Sequence, residues 1–258
     1  DQMSTWKPDS DLMRFNAAPC GEWIPLPHPL MTVLTAGQDM TRRTDGAFEM
    51  NLGDAVHAWG FCAAQIDLAA IRAASAAPWM SSLTALELTE THARKTHPLA
   101  LDLSGIAKGY GVDRLSDVAR QFGLRCALCE IDGELRALEG GTPWTVAIER
   151  PDTATAHSYV ALTNGALATS GDYRHFVLVK GHRLSHTIDP RRRAPVIAPP
   201  ASVTVMAATC READAMATAL LVMGADQGMS FAKAQGISAL FLIRDPDGFQ
   251  AMGTGTFA

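Results

Sequence analysis

Several features are scarce in this 258-residue sequence. No run of roughly 20 apolar residues occurs, so no segment reads as a membrane-spanning helix. No Lys/Arg cluster exceeds Arg191–Arg193 and the net charge is −5, which argues against a nucleic-acid binder, since that class needs a basic face. Charged residues make up only 19% against 47% hydrophobic. That balance disfavours a disordered or coiled-coil chain and fits a globule with ample length for a core. The dinucleotide fingerprint G-x-G-x-x-G, the Walker loop and the G-x-S-x-G elbow are all missing. Cysteines are five and scattered. Cys126 and Cys129 have redox or zinc spacing, but they fall in LRCALCEID, which reads as a buried strand whose residues three apart face opposite ways. No second pair completes a zinc site, so both are expected to be buried thiols. No signal peptide is visible. The chain opens at Asp1-Gln2-Met3, polar and helix-like, and an upstream segment is expected ahead of it.

What is present divides by period. The first half carries helical spacing in 31–45 and 53–65, and the helical pattern that follows is split by Pro78. The alternating segment 97–104 reads as a strand running into a glycine-bearing turn and the helix AKGYGVDRLSDVARQFG. After Gly123 the period shifts toward two, with strands expected in RCALCEID, WTVAIE, SYVALT, ALATSG, HFVLVKG, RLSHTID, ASVTVMAAT and ALFLIRD. Turn chemistry such as Asn164-Gly165 and Asp245-Pro246-Asp247-Gly248 separates them. A strong helix at 211–225 and a weaker one at 226–235 interrupt. Many antiparallel strands with segregated helices predict an α+β fold.

Two polar segments carry the chemistry. Between Asp102 and Asp113 a strand, a turn at Gly105 and a helix beginning near Ile106 are expected. The free N–H groups of that helix end, with Lys108 in its first turn, suit a phosphate or pyrophosphate, although such a turn can be purely structural. Asp214 and Thr218, at i and i+4 of a helix, share one half-buried face. A carboxylate and a hydroxyl there are hard oxygen donors for Mg²⁺ or Ca²⁺; the alternative is an acid favouring the helix dipole and a Thr bonded to its own helix. His186, beside Ser185 at a strand end, invites a triad, but adjacent strand residues face oppositely, which leaves His186 as a lone proton acceptor. Trp6 and Phe48 could stack on a planar ring or serve as rim and core aromatics. Ser170 to Arg174 is expected between two strands, with Arg174 a phosphate fork or a surface ion pair.

In this order, these segments resemble the ApbE family of FAD:protein FMN transferases. The resemblance runs through MSTWKPDSDLMRFN, GAFEMNLGDAVHAWGF, DLSGIAKGYGVDR, ATSGDYRHF, RLSHTIDPRRRAP and VTVMAATCREADAMATALLVMG, essentially the whole chain. It implies an ApbE-like, two-lobed α+β fold with FAD in a cleft between lobes, residues 1–258 forming one such domain that lacks the family's first strand. FAD contacts would come from Trp6, Ala47, Phe48, Glu49, Asp102, Lys108, Ser170 and Arg174, with a backbone contact at Ile188. The Gly105 carbonyl and the side chains of Asp214 and Thr218 would hold Mg²⁺, and His186 or Asp214 would act in catalysis. The implied reaction moves FMN from FAD onto a Thr or Ser hydroxyl and releases AMP; the alternative is FAD binding or hydrolysis without transfer. The implied acceptor is a flavin-carrying subunit of a membrane redox complex, and the implied location is periplasmic, with a lipid anchor at the missing N-terminus. The sequence departs from the family in three places. Glu49 stands where Asp is usual, Asp132-Gly133 where two glycines are more common, and Arg191 to Pro195 read RRRAP where Arg-Thr-Gly-Arg-Pro is usual.

Overall fold

The computed structural model describes residues 2–61, 66–153, 155–173, 176–179, 182–246 and 248–258. The chain divides into two compact units: Asp1–Ser104 with Ile188–Val196, and Gly105–Thr187 with Ile197–Ala258. Helices Asp11–Ala17, His28–Arg43, Gly53–Ala58, Leu68–Ala76 and Ser82–Ala85 belong to the first unit, with the small antiparallel sheet Trp23–Pro25, His92–Lys95 and Leu86–Leu88.

Helix His28–Arg43 follows from its sequence. Pro29 occupies its first turn, where a missing N–H is harmless, and Leu30, Val33, Leu34, Gly37, Met40 and Thr41 form one buried face at helical spacing. The alternating stretch 97–103 is not a strand, contrary to its pattern. Its backbone is bound piecemeal: Leu101 donates to Asn16 Oδ1 at 2.8 Å, Ala100 to Asn51 Oδ1 at 3.0 Å, and Asp102 to the Met50 carbonyl at 2.9 Å. Side-chain amides replace the ladder that alternation alone suggested.

The loop between the two-residue strands Ile188–Asp189 and Ala194–Pro195 absorbs the RRRAP departure. Arg193 takes φ 50, the left-handed conformation that suits glycine. Its guanidinium donates to the carbonyls of Ala74, Ser75 and Ala77 at the end of helix Leu68–Ala76, satisfying acceptors that a helix C-terminus leaves open.

In the second unit a six-stranded antiparallel sheet runs in the order Gly248–Thr254, Ser238–Asp245, Ser202–Ala207, Gly165–Gly171, Glu134–Ala137, Leu128–Ile131. The pleat assigns its faces. Ala166 packs with Val112 and Cys210, whereas its neighbour Leu167 packs with Val146, Val160 and Leu162 of the hairpin Trp144–Glu149/Ala156–Leu162. Helices Ala107–Gln121 and Cys210–Ala234 cover the first face and pack on each other. The same alternation turns Leu135 and Ala137 toward the hairpin and leaves Glu134 and Arg136 on the helix side.

The long helix Cys210–Ala234 is broken at Gly224, whose φ of 78 is non-helical; this is the division between the strong and weak helical patterns of the sequence. Cysteine placement differs from expectation. Cys126 is exposed and Cys129 half-buried, because the strand begins only at Leu128, and both are free thiols. The final strand, Gly248–Thr254, lacked a clear apolar alternation and carries two glycines, so its sequence pattern did not reveal it.

Candidate active site

The site is built where helix Ala107–Gln121 begins. Its N-cap is Ile106, which offers no side-chain acceptor, so the first-turn N–H groups need partners from elsewhere. Asp214 supplies one: its Oδ2 accepts the Gly109 N–H at 2.9 Å across the helix pair. Gly109 allows that approach, since a Cβ there would lie 2.4 Å from the Cys210 carbonyl oxygen. One turn after Asp214, Thr218 lies against Gly105, where a Cβ would meet its Oγ1 at 3.0 Å. The Thr218 hydroxyl also pairs with Ser170 Oγ at 3.1 Å. Ser170 is within strand Gly165–Gly171, at the end of the expected strand ALATSG, and the stretch expected between strands begins only after it.

Burial governs the electrostatics. Asp214 is 3% exposed. Loss of water, reinforced by the charge of Glu134, pushes its pKa up to about 7 against the opposing pull of the Gly109 N–H and Lys108. Lys108 donates to Glu134 Oε1 at 2.7 Å and reaches Asp132 Oδ2 at 3.5 Å. Burial alone would lower the Lys108 pKa, but Glu134, with help from Asp214 and Asp132, holds it above the ordinary value. Glu134 is itself raised, by burial first, with Lys108 opposing.

The donor set fits a small hard cation. Asp214, the hydroxyls of Thr218 and Ser170, and the Gly105 backbone all offer oxygen, and the buried carboxylate gains most from a cation that replaces its lost water. Among the described residues no group of three His, Cys, Asp or Glu side chains forms a metal cage. A cation here would therefore draw further ligands from water or phosphate, the habit of Mg²⁺.

His186 is half-buried in the bend after strand His182–Ser185. Its neighbour Ser185 is buried and accepts the Thr187 N–H at 3.1 Å, a bond within the bend.

The remaining candidates lie in the first unit, Arg174 excepted. Trp6 is 64% exposed and offers an open ring face. Phe48 is buried with Ala47, and its N–H donates to Thr44 Oγ1 at 3.0 Å; its ring is core and not a stacking platform. Glu49 is committed internally: Oε1 accepts the N–H groups of Met50 and Asn51 at 2.8 Å each, and Oε2 accepts the Ser81 hydroxyl at 2.6 Å. Asp102 is half-buried. Its Oδ1 accepts Ser104 N–H at 2.9 Å, while its solvent-inaccessible Oδ2 finds no partner among the described residues. Burial raises the Asp102 pKa, against the Ser104 bonds that lower it. Ile188 is buried beside Leu52 and Ala55. Arg174 lies outside the described residues.

Sequence reasoning missed Asp113, Asp132, Glu134 and Arg136. Two signals were available. Asp132-Gly133 is a tight hairpin with φ 53 and 99 that delivers Glu134 to the helix start. Glu134 and Arg136 also put charge on alternate positions of a strand whose other residues are apolar.

The ApbE family model matches residues 1–241. An FAD:protein FMN transferase of Vibrio cholerae is 36% identical, covering 100% of this chain and 79% of that protein. One from Escherichia coli K12 is 34% identical, covering 96% and 74%. The apo Pseudomonas stutzeri flavinyl transferase ApbE superposes with a TM-score of 0.86 at 36% identity, covering 98% of this chain and 81% of that one. A Thermotoga maritima ApbE protein gives 0.84 at 26% identity, covering 99% and 84%. The α+β architecture, the collinear segments and these likenesses agree, and the chain belongs to the ApbE family.

Proposed function

We propose that this chain is an FAD:protein FMN transferase that uses Mg²⁺ to move the FMN half of FAD onto a Thr or Ser hydroxyl of an acceptor protein, releasing AMP. The observation that carries the reading is the buried Asp214 carboxylate, bonded to Gly109 N–H beside Gly105 and the Thr218 and Ser170 hydroxyls. The relatives' shared activity supports it.

In this reading Asp214, Thr218 and the Gly105 carbonyl hold the cation. Mg²⁺ when bound supplies positive charge to the FAD diphosphate. The open N–H groups of helix Ala107–Gln121 and the Lys108 ammonium bind the same phosphates. Trp6 stacks on the flavin ring, and Asp102 and the Ile188 backbone contribute further contacts. The acceptor oxygen forms a bond to the FMN phosphorus, the bond from that phosphorus to the bridging oxygen breaks, and AMP leaves with the electron pair. The Asp214 carboxylate is engaged by the Gly109 N–H and would be a ligand of the cation, so the acceptor's proton is assigned to His186.

The acceptor in this proposal is a flavin-carrying subunit of a membrane redox complex, and the compartment is the periplasm. No helix among the described residues is long and apolar enough to cross a membrane.

The test is to incubate the protein with FAD, Mg²⁺ and an acceptor domain and to look for flavin fluorescence that survives denaturing electrophoresis. Asp214→Ala should abolish the metal dependence, and His186→Ala should slow transfer more than FAD binding. If FAD binds with metal present but several acceptors stay unlabelled, transfer is the wrong reading. Release of FMN and AMP without an acceptor would then identify an FAD hydrolase.

A further inference from the structure

Glu134 has no role in the reading above, yet it occupies the centre of the polar cluster. It is the first residue after the Asp132-Gly133 turn and is 2% exposed. One carboxylate oxygen accepts from Lys108; the other is fully buried and has no hydrogen-bond partner among the described residues. A buried carboxylate oxygen left unpaired is a standing penalty to folding. An apolar residue at the start of this strand would pack at no such penalty, so stability does not explain the choice.

Lys108 explains it. An ammonium has three donors on a stem of four rotatable bonds, and freezing such a chain on a ligand costs affinity. Here Glu134 takes one N–H at 2.7 Å, Asp132 stands at 3.5 Å, and the side chain remains 40% exposed. The charge is thus pinned at the open end of helix Ala107–Gln121, with donor capacity left over on its outer side. We propose that Glu134 is a positioning residue, which fixes the Lys108 ammonium in advance so that its remaining N–H meets the diphosphate of FAD. This rests on the FAD reading above and deepens it.

The test is a double-mutant cycle on the full chain with Mg²⁺ present, reading FAD and riboflavin affinity by flavin fluorescence and folding by thermal melts. Riboflavin carries the ring without phosphate. Glu134→Gln should weaken FAD about tenfold, the scale of one charge-assisted contact, and leave riboflavin unchanged. In a Lys108→Met background the same change should have no further effect. Equal weakening of FAD and riboflavin, additive losses, or no effect of Lys108→Met would overturn the proposal. A second measurement needs no flavin: acetic anhydride labelling read by mass spectrometry should modify Lys108 several-fold faster in Glu134→Gln than in the parent protein. Equal rates would show that Glu134 does not hold the amine. Failure of the parent protein to bind FAD at all would instead sink the flavin reading, and the labelling rates would still decide the pair.

Discussion

Asp113 caps a helix that begins 97 positions later in the chain: its Oδ1 accepts the Cys210 N–H at 2.9 Å, and its Oδ2 accepts the Arg211 N–H at 3.1 Å. The long helix has its own cap in Thr209, which reaches Glu212 N–H at 3.3 Å. Asp113 thus satisfies two first-turn donors that Thr209 cannot. Arg136 completes the unit by donating to the same Asp113 oxygen at 2.6 Å. Since Asp214 is one turn from this start, the cap sets where the site's carboxylate stands.

Asp113→Ala should therefore be more damaging than an ordinary cap deletion. It strands the buried Cys210 N–H and the half-buried Arg211 N–H and leaves Arg136, only 14% exposed at its side chain, without its carboxylate. Loss of a cap costs about 1 kcal/mol and breaking a buried ion pair about 3–5 kcal/mol. A destabilisation of roughly 3 kcal/mol or more is expected in urea unfolding. Asp113→Asn, which keeps an acceptor, should lose less. A change within 0.5 kcal/mol for Ala, roughly the size of a neutral surface substitution, would contradict the arrangement.

Gly109→Ala and Gly105→Ala should separate fold from site. At Gly109 a Cβ would lie 2.4 Å from backbone, the Cys210 carbonyl, so the two helices must part. Overpacking of this kind costs about 1–3 kcal/mol, and here it also pulls Asp214 from the Gly109 N–H. At Gly105 the nearest atom is the Thr218 hydroxyl at 3.0 Å, a side chain able to shift by a few tenths of an ångström. Gly105→Ala should melt within a few degrees of the parent yet bind Mg²⁺ more weakly in isothermal titration. Equal melting losses for both variants would refute the distinction.

The balance of sequence and structure is clearest in these elements. Helix His28–Arg43, helix Ala107–Gln121 and the strands Trp144–Glu149 and Ala156–Leu162 were legible because each has one apolar face and one period. Asp214 and Thr218 were legible as a pair for the same reason. The cap by Asp113 was not, since nothing local marks an aspartate in the second turn of one helix as the partner of another. Segment 97–103 misled because alternation reports which side chains are buried, not whether a neighbouring strand supplies the hydrogen bonds. The internal bonds of Glu49 were not legible either, since its carboxylate serves backbone N–H groups that only the folded loop brings near.

The cysteines should divide by reactivity. Cys210 is wholly buried, and burial, then the nearby Asp113, Asp214 and Glu134, pushes its thiol pKa up. Only the thiolate is alkylated, so a raised pKa removes the reactive form at neutral and mildly alkaline pH. Iodoacetamide at pH 8 should label exposed Cys20 and Cys126 in the native protein and reach Cys210 only after unfolding. Mass spectrometry of the peptides checks this. Asp113→Ala should accelerate Cys210 labelling, because the helix start that shields it opens more often.

Asp214 gives the metal-free protein a pH dependence of unusual sign for an aspartate. In the unfolded chain it releases its proton near 3.8, whereas in the fold it holds the proton to about 7. Across that window the native state binds the extra proton, so stability from this group is greatest below about pH 4 and falls as pH rises. The slope is at most about 1.4 kcal/mol per pH unit, on the order of 4 kcal/mol over the whole window. Asp214→Asn keeps an acceptor for Gly109 N–H and has nothing to titrate. In EDTA, the variant and the parent should unfold alike near pH 4, and the variant should become progressively the more stable toward pH 8. Added Mg²⁺ should then raise the parent's melting temperature at pH 8 and leave the variant's nearly unchanged, since the cation replaces the proton on a carboxylate that only the parent has. Parallel stability curves from pH 4 to 8 would mean that Asp214 ionises like an ordinary surface acid, and the buried carboxylate would lose its reason to attract a cation.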